Sequence, residues 1–184
     1  MKKTICTFGM VVAFFLLTTN LLGQATATSD HTLTMGIPEV CLLGTDAAAI
    51  ALELTTTTAG AQITGGTGTG YAQVASIVSA AETRTITASI TGVPAGTGLK
   101  VTTAVPSGGN SGGTLGTGST AVDLINAATA VTLVTAIGSC YTGTASTDGY
   151  ALAYTWDCAT GTYGNIVATT GSTATVVLTI TNTP

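Results

Sequence analysis

Few residues in this chain could carry chemistry. Histidine occurs once, at His31, close to the end of an export-type N-terminus, where a general base would sit on a terminal segment. A Ser-His-Asp triad therefore has one candidate base, and the Gly-x-Ser-x-Gly elbow that presents a nucleophile is absent. The eight carboxylates are scattered, so no pair is marked by spacing for general acid-base work on a glycoside. Gly66-Thr-Gly-Thr-Gly70 has the glycine content of a phosphate loop, but no Gly-Lys-Thr/Ser ending follows, and it reads as a flexible loop. Alternating Asp ligands for calcium are missing, and the cysteines have no nearby His to complete a metal site. The expectation is a protein that is not an enzyme and holds no cofactor.

Cysteine and aromatic residues gather instead in Ile137 to Cys158, with the only Trp, three of the five Tyr and two of the four Cys. Asp148-Gly149 in the middle of that stretch is a strong hairpin signal, so two strands folded back on each other are predicted. A bridge between Cys140 and Cys158, which flank the hairpin, needs a three-residue loop or a bulge to bring both sulfurs to one face. A bridge from Cys41 to either one, or three free thiols, are the alternatives; Cys41 also reads as a small buried hydrophobe. Tyr150, Leu152, Tyr154 and Trp156 share one face of a strand. That face is either an aromatic platform for sugar rings, formed by Tyr150, Tyr154 and Trp156, or a core face filled with large residues.

The elements that must position these residues alternate apolar positions with Thr, the period-two signal of strands. Runs begin at His31–Ile37 and Ala49–Thr55, continue through Thr85–Thr91, Leu99–Val105 and Val131–Ile137, and end with Tyr150–Trp156 and Thr173–Thr181. Gly, Pro and Ser cluster between them at Ala59–Gly70, Gly92–Gly98 and Pro106–Gly118, as loops do. Val74–Glu82 and Ser119–Ala128 have features of short helices, with strands preferred for both. This pattern predicts an all-β fold, an antiparallel Greek-key or immunoglobulin-like sandwich of about seven to nine strands.

Lys2 and Lys3, the apolar run Ile5–Leu17 and the small residues from Gly23 to Ala27 read as a cleaved signal peptide over residues 1–27. A secreted or cell-surface protein follows, with residues 28–184 as one domain and no membrane span after cleavage. Beyond residue 27 only Arg84 and Lys100 oppose all eight carboxylates, which excludes nucleic acid as a partner. Charged residues are 7% of the chain, so hydroxyls and backbone must wet its surface.

The last run adds a resemblance. Gly171 stands fourteenth from the C-terminus, followed by Ala174, Val176, Leu178 and Ile180 in alternation; an alternating segment, Ser29 to Ile37, lies at the other end. With the export signal and Thr/Gly/Ala-rich composition, these ends resemble secreted subunits of chaperone-assembled pili and fimbriae. The chain differs in having Thr183 at the family's penultimate Tyr, and in cysteines placed at 140 and 158. The resemblance implies a structural subunit that self-associates, or joins other surface subunits, by strand addition. Leu33, Met35 and Ile37 would then fill a neighbour's groove, lined by Val176, Leu178 and Ile180. The rival expectation is a self-contained module that binds carbohydrate or cell wall, with polysaccharide as the partner.

Overall fold

The computed structural model describes residues 28–46, 48–55, 58–126, 129–158 and 162–183, so the expected signal peptide over 1–27 lies outside the described residues. The chain divides into two units, Met1–Gly36 and Ile37–Pro184. Of the first, residues 28–36 are exposed and form neither helix nor strand. The second is built from strands β1 (Val40–Thr45), β2 (Gly66–Ile77), β3 (Thr83–Thr91), β4 (Thr97–Ala104), β5 (Gly112–Gly113), β6 (Thr117–Gly118), β7 (Val122–Leu124), β8 (Val131–Ile137), β9 (Cys140–Tyr141), β10 (Tyr150–Cys158) and β11 (Thr175–Thr183). One 3-10 turn, Tyr163–Asn165, joins the last two.

Two antiparallel sheets result, as the alternation predicts. The larger runs β5-β9-β2-β10-β4-β7, with β1 on the other edge of β2; the smaller runs β11-β3-β8-β6. Period-two patterning gives each sheet one apolar face. From the larger sheet, Ala72, Val74, Leu99, Val101, Tyr150, Leu152 and Tyr154 enter the core. Ile86, Ala88, Ile90, Leu133, Val134 and Ile137 meet them from the smaller one. Leu133 and Val134 both point inward because β8 slips register against β3 on either side of Ile86, and Ala136 takes a left-handed φ of 58° in the irregular stretch.

The outer face of the smaller sheet is where the Thr residues go. Thr83, Thr85, Thr87 and Thr91 of β3 stand opposite Thr183, Thr181, Thr179 and Thr175 of β11, and Thr87 also faces Thr132 of β8. Each Thr shows water a hydroxyl while its branched carbon suits the strand, which is how so uncharged a chain presents a polar surface.

Five local expectations are corrected. Asp148-Gly149 does not turn a hairpin. Cys140 and Tyr141 pair with Ser76 and Ala75, Thr142 bonds to Val74, and Tyr150 resumes opposite Ala72 on the same edge of β2. Strands β9 and β10 are thus one line, and the seven residues Gly143–Gly149 make an excursion opposite Gln73 alone. Asp148 closes that excursion: its carboxylate accepts the Ala145 N–H at 2.9 Å, and its own N–H donates to the Ala145 carbonyl. Gln73 Nε2 donates to the same carbonyl.

The expected Cys140–Cys158 bridge fails for that reason. Along β2 the partners of Cys140 and Trp156 are Ser76 and Gly66, a separation of about 33 Å at strand rise. Cys41 pairs with Ser76 from the opposite edge of β2, two strand spacings from Cys140, beyond disulfide reach. All three described thiols are free, with Cys41 exposed, Cys158 half-buried and Cys140 buried.

Gly66–Gly70 is no flexible loop but the first half of β2. Its glycines lie on the inward face, and the chain from Ile50 to Leu54 crosses over them. A Cβ on Gly66 would stand 2.6 Å from the Glu53 carbonyl oxygen, and one on Gly70 2.9 Å from Ile50 Cδ1. The expected strand Ala49–Thr55 is therefore a segment laid on a glycine face, tied to the ladder only where Thr55 bridges Thr64. The expected strand His31–Ile37 does not form either; the first strand starts at Val40.

Candidate assembly interface

Strand β11 is the outermost strand of the smaller sheet. One side is fully laddered to β3, from Thr175–Thr91 to Thr183–Thr83, without a register shift. The other side has no backbone hydrogen bond among the described residues. Val176, Leu178 and Ile180 point inward, are half-buried and pack against the core. An open edge with an unfinished apolar row is the geometry to which an extended segment adds.

The segment expected to supply such an addition is exposed. Leu33, Met35 and Ile37 are 71%, 87% and 82% accessible, far above what side chains of their kind keep in a finished fold. They alternate with Thr32, Thr34 and Gly36, and Pro38 ends the run before β1.

The other expected site residues are placed differently. Tyr150 is fully buried and its hydroxyl donates to the Leu115 carbonyl at 2.7 Å; Tyr154 is 7% exposed. Neither ring is available for stacking, so Tyr150 and Tyr154 are core residues, and an aromatic platform on this strand is corrected to a core face. Trp156 is half-buried and its Nε1 donates to Thr97 Oγ1 at 2.9 Å. Burial pushes the Tyr154 phenol up to about 12, with Asp46 adding to it, and burial also raises the Tyr150 phenol. The Cys140 thiol is raised by burial, partly offset by its hydrogen bond with Tyr150. Burial is the largest cause in each case, and it holds these groups neutral.

His31 is exposed, and no three His, Cys, Asp or Glu side chains cluster as metal ligands among the described residues. An open groove of ≈ 360 Å³ on the outer face of the larger sheet is lined by Val40, Ala75, Ile77, Gly112 and Tyr141 among others, and its walls are apolar. No helix among the described residues is long and apolar enough to cross a membrane.

One residue of interest escaped the sequence reading. Arg84 lies on β3 in phase with Ile86, Ala88 and Ile90, and is only 3% exposed. Its Nη2 donates to the Ile77 carbonyl at 3.2 Å and its Nε has no partner. The signal was present, since a lone cation interrupts an otherwise apolar alternating row. Asn182, opposite Arg84 on β11, was missed with it.

Comparison of the chain with protein-family models, curated proteins and solved structures finds no match.

Proposed function

We propose that this chain is a non-enzymatic structural subunit of a secreted or cell-surface assembly, of the pilus or surface-layer kind, joined to its neighbours by strand addition. The observation that supports this reading is the coexistence of an unpaired β11 edge and an exposed alternating segment on the same chain. Each has what the other lacks. The edge offers backbone donors and acceptors and a half-covered row at Val176, Leu178 and Ile180. The segment offers Leu33, Met35 and Ile37 at the same period. Burying three such side chains contributes roughly 1.5–3 kcal/mol each before ordering costs. In trans, the arrangement repeats head to tail, and a heterologous contact of that kind builds open filaments.

Deletion of Ser29 to Ile37 tests it. The shortened protein is expected to fold, because the first strand starts at Val40, beyond the deletion, but to lose polymers. Native surface material run unboiled should show a ladder that collapses on boiling, and the deletion should leave monomer alone. Polymers that survive the deletion would refute the reading.

A further inference from the structure

Arg84 enters the core from the smaller sheet, in phase with Ile86, Ala88 and Ile90, and only 3% of it is exposed. A guanidinium buried to this degree is costly unless an anion or a full set of acceptors meets it. One acceptor does: Nη2 donates to the Ile77 carbonyl at 3.2 Å, while Nε has no partner. Lys100 with Asp123, exposed and at 3.7 Å, is the one ion pair among the described residues, so no described carboxylate neutralises Arg84. Glu39, just before β1, accepts the Ser79 N–H instead.

A second orphan lies on the other sheet. Ser76 belongs to the inward row of β2, is 1% exposed, and its hydroxyl has no partner. It is the residue immediately before Ile77, so the guanidinium ends one step of strand rise, about 3.3 Å, along β2 from Ser76. Nε and the hydroxyl are both donors without an acceptor, and together they carry one uncompensated positive charge. A group that satisfies both accepts from two donors, carries a single negative charge and is small. A dianion would reverse the charge imbalance rather than cancel it. A carboxylate or phosphate would bring further oxygens that Val74 and Ile137, the buried neighbours on these rows, cannot satisfy. Ser76 and Ile77 also line the open groove beside Val40 and Tyr141, which gives an ion a way in from the surface.

We infer that Arg84 and Ser76 form a site for a small monovalent anion, a halide such as chloride, held between the two sheets. Arg84 supplies the charge and the Nε donor; Ser76 supplies the second donor. One residue comes from the smaller sheet and the other from the larger, so the bound ion ties the layers together where β2 finishes and β3 begins. An ion that binds only the folded state stabilises it in a saturable, concentration-dependent way. The site needs one chain alone, so it stands apart from the assembly reading.

Thermal melts of the full chain in sodium chloride and in sodium gluconate, matched in ionic strength, test it. Gluconate is too large to enter, so screening is common to both series and the site is not. The wild-type midpoint should rise with chloride and level off, by roughly 3–6 °C once chloride is about tenfold above its dissociation constant. Arg84→Met should lose that saturating gain, and Ser76→Ala should need several-fold more chloride to reach it. Chloride NMR line widths make the same comparison on folded protein: wild type should broaden the line, added bromide should narrow it again, and Ser76→Ala should broaden it less. That measurement decides the point even where Arg84→Met does not fold. Wild-type melts with no saturating chloride gain would overturn the inference and make a buried water the acceptor. A gain that Arg84→Met keeps, or line broadening that Ser76→Ala leaves unchanged, would place the ion elsewhere and overturn it equally.

Discussion

Tyr150 shows what a single residue does here. Its ring is fully buried between the sheets and its hydroxyl reaches across to the Leu115 carbonyl, in the chain between β5 and β6, so the ring fills the core and the oxygen pins a loop. Tyr150→Phe keeps the ring and strands the carbonyl. It should cost about 1–3 kcal/mol, read as a lower urea midpoint at unchanged slope. A midpoint within error of wild type would mean that water or another donor satisfies Leu115 just as well. The period of Tyr150, Leu152, Tyr154 and Trp156 was legible as one face of a strand. Which side of the sheet that face met was not, because alternation has the same form whether the large residues look inward or outward.

Among the elements, β2 is the least like its sequence. Gly66, Gly68 and Gly70 have low strand propensity, and their face carries no apolar side chain to betray it. The apolar atoms come from Ile50 and Leu52, laid across the glycines from another part of the chain. Local reading saw a loop because half of the element's packing is supplied from elsewhere. Gly66→Ala tests this directly. Its Cβ would meet the backbone of Glu53, which cannot swing aside as a side-chain tip would. A loss of about 1–3 kcal/mol is expected, with new protease cleavage around residues 50–54 as that segment lifts. An alanine tolerated without either change would mean that the crossing is loose. The same limit explains the lost hairpin. Asp148-Gly149 has hairpin chemistry, yet Tyr150 already has its partner on β2, so the dipeptide ends an excursion instead.

For the whole molecule, the long strands from β2 onward alternate between sheets: β2, β4 and β10 in one, β3, β8 and β11 in the other. Periodicity reports which residues look inward, so the fold class was readable. Partners are non-local, so strand order, the distance between Cys140 and Cys158, and the open edge of β11 were not. The core that this topology closes also dictates a pH response. Cys140 and Tyr154 are held neutral by burial, with thiol and phenol raised above their ordinary 9.0 and 10.0. The unfolded chain ionises first, so their contribution is intact below about pH 9 and is lost as pH climbs towards about 12, the Tyr154 value. Denaturant midpoints measured from pH 7 to 12 should fall on the alkaline side. A curve that stays level to pH 12 would place these groups nearer solvent than the fold does.

The excursion at Gly143–Gly149 has a consequence beyond pairing. A ladder that stops at Thr142 and resumes at Tyr150 on the same edge has two anchored ends and an exposed tip between them, with Thr144 to Thr147 in solvent. Length there is uncoupled from architecture, since neither anchor depends on how many residues lie between. A foreign peptide spliced between Ser146 and Thr147 would be carried outward on a rigid base, and in a polymer it would recur once per subunit.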